Sequence, residues 1–265
     1  DIAAMNATPT QILVGLAISN RFPVEALEEI YAGIALACKR YKVDLVGGDT
    51  TSSTSGLVMS ITAIGLENPE NIVKRSGAKA NDLLVVTGDL GGAYMGLQIL
   101  EREHSVYLAN PNMQPEMEGY DYILERQLKP EARTDIKKTL KELDIKPTSM
   151  IDVSDGLSSE ILHLSDQSKV GFHLYEEKVP MDSLTISTAE ELNLNPVMCA
   201  LSGGEDYELL FTIAPEDFDK IKNHPDFTIV GHAVDLEQGN FLIARGSNEL
   251  IPLNAQGWDA FLNRQ

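Results

Sequence analysis

Apolar residues in the first quarter of the chain fall into short continuous runs and one stretch of helical spacing. The predicted elements are, in order, a short helix and then a strand within residues 3–18, a helix over 23–41, a short strand over 43–46 and a β-rich segment over 56–66. Pro9 is expected to separate the first helix from the first strand. Residues 68–71 then break the pattern, so we expect a first domain over residues 1–68.

The rest of the chain continues this alternation of strand-like and helical stretches. The predicted elements are a strand over 83–87, a helix over 91–100, a polar loop or lid over 103–118, a charged helix over 133–143, a strand ending at 153, a helix over 156–164 and a strand over 207–213. Strands followed by helices in two successive blocks indicate a two-domain α/β or α+β protein. The second domain is expected over residues 69–265.

Composition and charge narrow the possible partners. The 265 residues are 43% apolar and 23% charged, as in ordinary folded proteins, but the net charge is −19. Nucleic acid and anionic membranes repel such an acidic surface, so we expect neither as a partner. Cys38 and Cys199 form no CxxC pair, and no apolar run is as long as a membrane-spanning helix. These features predict a cytoplasmic protein with reduced thiols.

Three segments combine acidic side chains with glycine and small hydroxyl residues. They are residues 47–51 (GGDTT), 152–156 (DVSDG) and 202–207 (SGGEDY). Carboxylates can hold a hard cation, and glycine lets backbone N–H groups approach phosphate oxygens. The chain has no GxxxxGK[ST] sequence and no HRD or DFG set of the protein kinases. We therefore expect Mg²⁺ and a nucleotide to be held through carboxylates, with metal ions neutralising the triphosphate.

The first two segments each allow a structural alternative. Asp49 would bind Mg²⁺, or it would cap a tight left-handed turn at Gly47 and Gly48. Asp152 and Asp155 would face one cation at a strand-to-helix junction, whose helix N-terminus favours a phosphate. Alternatively, Asp155 or its neighbour Ser154 would cap the helix that follows, which leaves Asp152 unexplained.

Two further positions are equally open from the residues alone. Glu205 and Asp206 follow two glycines, so a carboxylate there could meet a cationic substrate group, or both could be solvated acids in a hairpin turn. Arg75 suits a bidentate phosphate contact, or it is a solvated surface residue. The five histidines show no ligand spacing, and we assign them no chemistry.

Taken together in this order, the segments resemble the thiamine-monophosphate kinases, ATP-dependent enzymes of the AIR-synthetase-like (PurM-like) superfamily. The matching stretches run almost from end to end and are residues 1–5 (DIAAM), 46–51 (VGGDTT), 75–79 (RSGAK), 86–88 (VTG), 151–157 (IDVSDGL), 201–209 (LSGGEDYEL) and 257–259 (GWD). The resemblance implies a two-domain PurM-like fold, with a mixed sheet and helices in the first domain and an α/β second domain.

The activity implied by the resemblance is transfer of the γ-phosphoryl group of ATP to thiamine monophosphate, giving thiamine diphosphate. Several Mg²⁺ ions would bridge the phosphates, and no general base is expected, because the acceptor phosphate is already ionised near neutral pH. The implied site residues are Asp1, Asp49, Asp152 and Asp155 for Mg²⁺, Tyr31, Gly48, Asp49, Arg75 and Ser154 for ATP, and Glu205 and Trp258 for the thiamine end. The resemblance also implies a homodimer.

The chain departs from the family pattern in two ways. Asn6 and Asn81 stand where the family usually has glycine, and asparagine tolerates the left-handed conformation well. The chain begins at Asp1 without an initiator Met, whereas family members carry a preceding segment with further Mg²⁺ ligands and a substrate-contacting His. We expect a chain without that segment to lack part of its metal cluster and to be impaired in activity and assembly.

Other activities of the same superfamily are the nearest alternatives. They are aminoimidazole ribotide synthesis, selenophosphate synthesis and the carbamoyl dehydration of hydrogenase maturation. The last two call for a reactive cysteine near one end of the chain, and none is visible. A nucleotide-binding module without turnover, or an acidic metal-binding protein with structural loops only, are the alternatives from other functional classes.

Overall fold

A computed structural model of the chain describes residues 1–255. They divide into two compact units: Asp1–Ile72 with Thr134–Lys137, and Val73–Arg133 with the residues from Lys138 onward. Among the described residues, no helix is both long enough and apolar enough to cross a membrane.

The first unit contains a three-stranded sheet and one long helix. Its elements are β1 (Thr8–Ile18), α1 (Val24–Tyr41), β2 (Asp44–Ser52) and β3 (Leu57–Leu66), with short 3-10 turns at Ala3–Met5 and Pro69–Asn71. The strand order is β2-β1-β3, with β1 parallel to β2 and antiparallel to β3. Val14 and Leu16 of β1 are buried with Ile34 of α1, which fixes the helix on one face of the strand. The mixed sheet expected for this part of the chain is confirmed.

Two sequence-based expectations for this unit are wrong. Pro9 does not separate two elements but lies inside β1, at a register irregularity where its missing N–H is tolerated. Residues 47–51 form no turn, because β2 continues through them and Asp49 pairs with Gly15 of β1. Neither Gly47 nor Gly48 has a positive φ, so the left-handed turn is excluded as well. The β-prone Thr50 and Thr51 extend the strand past the glycines.

The second unit is built on a seven-stranded mixed sheet. Its elements are β4 (Leu83–Thr87), α2 (Gly92–Ala109), α3 (Asp121–Leu128), β5 (Ser149–Asp152), α5 (Leu157–Ser168), β6 (Val170–Tyr175), α6 (Ser183–Glu191), α7 (Pro196–Ser202), β7 (Leu209–Ile213), α8 (Phe218–Ile221), β8 (Phe227–Asp235), β9 (Phe241–Ile243) and β10 (Leu250–Pro252), while α4 (Ile136–Glu142) begins in the short segment that belongs to the first unit. The order is β10-β9-β6-β8-β4-β7-β5, and among the described strands of this sheet only the β6–β9 pair is parallel.

The central strands of this sheet are buried on both faces. All five residues of β7 are buried, as are four of the five in β4. One apolar cluster runs from Leu84 through Phe172 to Leu210 and includes Ile161 of α5. This cluster fixes the ends of β5 and β7, which carry two of the acidic segments.

The polar stretch 103–118 is only partly a loop. Helix α2 continues to Ala109, so the prediction of a loop from residue 103 is wrong. Glu103 is buried, and its carboxylate accepts hydrogen bonds from the Arg102 side chain at 2.8 Å and from the Glu116 backbone N–H at 2.8 Å. These bonds stabilise the buried Glu103 carboxylate within α2. The bond from Glu116 also connects the segment after the helix to α2.

Candidate functional site

Within the first unit, the residues expected to bind metal or nucleotide are exposed and separate. Asp1 precedes the first 3-10 turn, and Asp49 lies in the middle of β2, where one carboxylate oxygen accepts the Thr50 N–H at 2.9 Å. Tyr31 lies on α1 and is 37% exposed. No hydrogen bond or ion pair among residues 1–255 links Asp49 to another expected site residue. Asp49 is therefore accessible to a ligand, without a second carboxylate held against it.

Gly48 has a structural reason to be glycine. A Cβ added there would lie 1.9 Å from the backbone oxygen of Val14 in β1. The close approach of β1 and β2 thus demands glycine whether or not a phosphate binds nearby.

In the second unit, two of the acidic segments form one structure, which we call the two-loop platform and define as residues 152–156 and 203–208. The Glu205 N–H donates to the Ser154 carbonyl at 2.7 Å, the Tyr207 N–H donates to the Val153 carbonyl at 2.8 Å, and the Val153 N–H donates to the Glu208 carbonyl at 2.8 Å. The β5–β7 ladder continues directly from these bonds. The hydrogen-bonded pair of loops therefore carries four of the expected site residues, Asp152, Ser154, Asp155 and Glu205.

Two glycines permit this close pairing of loops. A Cβ on Gly204 would lie 2.5 Å from the Ser154 carbonyl oxygen, and a Cβ on Gly156 would lie 2.6 Å from the Leu201 oxygen. Both residues also have a positive φ, 71° and 99° respectively, which side chains disfavour. Gly156 and Gly204 thus allow two stretches of backbone to approach each other closely.

Helix capping does not account for Ser154 or Asp155. The residue before α5 is Gly156, and no side chain of residues 1–255 caps the helix. Instead, Glu160 reaches back from the first turn, and its Oε1 accepts the Asp155 N–H at 3.1 Å and the Ser154 hydroxyl at 3.4 Å. The Asp155 carboxylate is exposed and has no hydrogen bond within residues 1–255. Asp155 is therefore available to a ligand.

Glu160 is a buried carboxylate that the sequence did not single out. It is 2% exposed, and burial raises its pKa, with a smaller contribution from the negative charges of Asp152 and Asp155. Through its bonds to Ser154 and Asp155, Glu160 fixes the backbone of the loop that carries Asp152 and Asp155. An acidic residue in the first turn of the helix was the one available signal in the sequence.

The side chains of residues 205–208 separate into an outer and an inner pair. Glu205 is exposed and Tyr207 partly buried, whereas Asp206 and Glu208 are 2% and 3% exposed. One alternative considered from the sequence was a hairpin turn in which Glu205 and Asp206 are both solvated. That alternative is wrong for Asp206, because its side chain is buried. Both Asp206 carboxylate oxygens accept the Gly91 N–H, at 3.0 and 2.9 Å, just before α2 begins. Burial raises the pKa of Asp206 to about 7.

Glu208 anchors the loop from below. Its carboxylate accepts hydrogen bonds from Thr87 at 2.5 Å, from Arg126 at 3.0 Å and from Arg133 at 2.7 Å. A Cβ on Gly88 would lie 2.5 Å from the same carboxylate, which favours glycine directly after Thr87, the last residue of β4. The two arginines compensate the buried negative charge, so this network is structural.

Arg75 belongs to the second unit but is not joined to the two-loop platform. It is exposed, and its carbonyl accepts the Ser168 hydroxyl at 3.2 Å. Its guanidinium makes no hydrogen bond or ion pair with residues 1–255. The side chain is therefore free to contact an anion.

The described residues offer metal ligands of the right kind but no complete set. Among residues 1–255, no three His, Cys, Asp or Glu side chains are grouped so that they could hold a metal ion. Asp152 and Asp155 supply two carboxylates of the platform, and Mg²⁺ commonly uses one or two carboxylates, with phosphate oxygens and waters completing its octahedron. The donor chemistry thus fits Mg²⁺ bound together with a phosphate. Trp258, expected at the thiamine end, lies outside the described residues.

The chain is similar to known proteins along most of its length. Residues 1–66 match the family model "AIR synthase related protein, N-terminal domain". The thiamine-monophosphate kinase of Bacillus subtilis is 31% identical over 266 residues, which cover 98% of this chain and 78% of that protein. A second relative, from Aquifex aeolicus, has the same name, is 30% identical and is covered over 77% of its length.

Solved structures give the same result for the fold. The structure described as AaThiL complexed with AMPPCP and TMP superposes with a TM-score of 0.82 at 28% identity, covering 98% of this chain and 76% of that one. The two-domain α/β architecture of the PurM-like type is thereby confirmed. Because the relative from Bacillus subtilis is similar over most of both chains, the chain belongs to the thiamine-monophosphate kinase family.

Proposed function

We propose that this chain transfers the γ-phosphoryl group of ATP to thiamine monophosphate and so produces thiamine diphosphate. The observation that carries the proposal is the two-loop platform, because one rigid support presents two carboxylates beside Ser154 and a third, Glu205, on the paired loop. The family relationship supports the same activity, as does the relative that was solved with AMPPCP, an ATP analogue, and TMP.

The metal assignment rests on Asp1 and Asp49 in the first unit and on Asp152 and Asp155 in the second. Each is a hard oxygen donor suited to Mg²⁺, and among residues 1–255 the Asp155 carboxylate makes no hydrogen bond that a metal would have to replace. When bound, Mg²⁺ supplies positive charge that offsets repulsion between two polyanionic substrates.

The nucleotide assignment comprises Tyr31, Gly48, Asp49, Arg75 and Ser154. The Arg75 guanidinium, which has no partner in the described part of the chain, suits a bidentate contact to a phosphate. Gly48 has no side chain, so its contact would be made by the backbone. The Ser154 hydroxyl, which donates to Glu160, keeps its lone pairs for a donor from the ligand or a metal.

Glu205 and Trp258 form the proposed acceptor side. A carboxylate and an aromatic face both favour the cationic thiazolium ring of thiamine. No residue is assigned as a general base, because a phosphate monoester loses its second proton with a pKa of about 6 and is already a nucleophile at neutral pH. The residues of the chain then act by positioning and by electrostatics.

A homodimer and a cytoplasmic location, where ATP is supplied, complete the proposal. The dimer is supported by the sheet face of the first unit that points away from α1, where Leu13 of β1 and Val58 and Ile64 of β3 are 36%, 60% and 37% exposed. Exposed apolar side chains on one face are typical of an interaction surface.

Acceptor-dependent ADP release by the full-length protein tests the reaction. We expect ADP to form with Mg²⁺, ATP and thiamine monophosphate, and to fall to background without the thiamine compound or with EDTA. Saturable ATP binding with no acceptor-dependent ADP would instead favour a nucleotide-binding module. The hydrogenase-maturation protein HypE of E. coli, at 18% identity and a TM-score of 0.73, shows the fold alone and gives no support to that alternative chemistry.

A further inference from the structure

Tyr207 and Glu205 form a side-chain pair on the outer surface of the two-loop platform. The Tyr207 hydroxyl donates to the Glu205 Oε2 at 2.8 Å. Asp206 between them points inward and is buried, so the two outer side chains lie on the same side of the loop. Hydrogen bonds to an ionised carboxylate are stronger than those between neutral groups.

The backbone under this pair is strained. Glu205 has a φ of 61° and Tyr207 a φ of 53°, a conformation that costs non-glycine residues about 1 kcal/mol or more each. The bonds from Glu205 and Tyr207 to the paired loop, together with buried Asp206 and Glu208, hold it in place. Strain that the surroundings hold in this way is typical of functional positions.

Tyr207 also lies close to the proposed phosphate side of the platform. Burial and the bond to Glu205 raise the pKa of Tyr207 to about 12, and the charges of Asp152 and Asp155 add to this. The phenol therefore stays protonated and remains a donor. It stands as a neutral group near three carboxylates.

Glu205 depends on this one partner. Within residues 1–255, its carboxylate has no other hydrogen bond or ion pair. An exposed glutamate freed of its partner gains side-chain rotational freedom, and binding must then remove that freedom again.

We infer that Tyr207 is a positioning residue, whose hydroxyl holds the Glu205 carboxylate toward the ring end of the acceptor and thereby sets the affinity for thiamine monophosphate but not for ATP. This inference rests on the proposed function, in which Glu205 contacts the thiamine end.

The test is Tyr207→Phe, which removes one hydroxyl and keeps the ring. Binding of thiamine monophosphate is measured by calorimetry with Mg²⁺ and AMPPCP present, and initial rates are measured in parallel. We expect Kd and KM for thiamine monophosphate to rise about 10-fold, as for loss of a hydrogen bond to a charged group, with kcat and KM for ATP within 2-fold of the wild type. An unchanged acceptor Kd, or an equal loss of ATP affinity, would overturn the inference.

Two controls separate positioning from general damage. Tyr120→Phe removes a matched hydroxyl that donates to Glu191 at 2.9 Å, and it should leave both affinities unchanged. Glu205→Ala removes the acceptor of the Tyr207 hydroxyl and should weaken binding of thiamine monophosphate, and adding Tyr207→Phe to it should then cause no comparable further loss. Additive losses in the double variant, or wild-type binding by Glu205→Ala, would also overturn the inference.

The two proposals fail differently. A wild-type protein that binds thiamine monophosphate without turnover contradicts the kinase function, but the Kd values still test Tyr207. A wild-type protein that binds no thiamine monophosphate contradicts both.

Discussion

At the scale of single residues, neighbouring acidic side chains on the two-loop platform and in the adjoining first turn of α5 have different surroundings. Asp155 and Glu205 face solvent, while Glu160 and Asp206 are buried and bind backbone N–H groups. All four residues are acidic, so the local sequence does not distinguish them. The pairing of the two loops determines which side chains are exposed to a ligand and which are buried. The exposed pair belongs to the proposed chemistry, and the buried pair holds the backbone in place.

Asp155→Asn tests the proposed metal role. Removing the charge should lower kcat/KM by about 100-fold and raise the Mg²⁺ concentration needed for half-maximal rate, because an amide is a weaker ligand than a carboxylate. Stability should change by less than about 0.5 kcal/mol, since the carboxylate is exposed and makes no hydrogen bond within residues 1–255. Initial rates across a Mg²⁺ series and urea denaturation measure the two effects.

Asp166→Asn is the matched control, since Asp166 is an exposed aspartate of α5 that pairs with Lys169. Its rate and its Mg²⁺ requirement should equal those of the wild type. An Asp155→Asn variant that keeps full activity at low Mg²⁺ would remove Asp155 from the metal site.

Asp206 should give stability a distinctive pH dependence. Its folded-state pKa is about 7, above the unfolded value, so the folded state binds the proton more tightly. Its contribution is therefore fully present below about pH 4 and is lost as the pH rises toward 7. Relative to Asp206→Asn, the wild type should be less stable at pH 7.5 than at pH 5 by about 2 kcal/mol.

Urea unfolding of both proteins at the two pH values measures this difference. Subtracting the free energy of unfolding of Asp206→Asn from that of the wild type cancels the contributions of other titrating groups that do not interact with Asp206. A relative stability that increases with pH would show that Gly91 and Arg126 outweigh burial and lower the pKa of this carboxyl.

At the scale of elements, the pattern of apolar residues predicted the strands and the long helix of the first unit, because apolar runs mark its strands and helical spacing marks α1. In the second unit it predicted β4, β5, β7, α2 and α5, whereas β6, β8, β9, β10, α3, α6 and α7 were not predicted. The junctions were less predictable. Residues 47–51 looked like a loop, yet pairing with β1 extends β2 through them. The main-chain bonds between residues 152–156 and 203–208 join positions about fifty residues apart, and no local signal reveals such a contact.

The residues of the candidate site were also predicted only in part. The motifs located Asp152, Ser154, Asp155 and Glu205, which the structure brings onto one platform. Glu160, Arg126 and Arg133 were missed, because their importance depends on burial and on distant partners.

Gly204→Ala tests the joining of the two loops. The added methyl would meet the Ser154 carbonyl in addition to the penalty of a positive φ, so we expect a loss of about 3 kcal/mol or more and a fall in activity. Gly119→Ala is the control, with a φ of 86° and no atom within 4 Å of the added Cβ, and should cost about 1 kcal/mol without affecting activity. Equal losses of stability in both variants would show that the close approach is unimportant.

At the scale of the whole molecule, the apolar sheet face of the first unit predicts self-association. Val58→Asp places a charge on this face, and we expect it to shift the protein from dimer to monomer in analytical ultracentrifugation. Glu25→Lys, on the first turn of α1, also changes an exposed residue of this unit and should leave the dimer intact. A monomeric wild type, or a dimeric Val58→Asp variant, would contradict the proposed interface.

The most direct test of the proposed reaction follows the phosphoryl group itself. The full-length protein is given ATP labelled at the γ-phosphate, Mg²⁺ and thiamine monophosphate, and the products are separated by chromatography. Direct transfer predicts label in the terminal phosphate of thiamine diphosphate, with one molecule of ADP for each molecule of product. Label that appears only as inorganic phosphate, whether or not thiamine monophosphate is present, would contradict the assignment as a kinase.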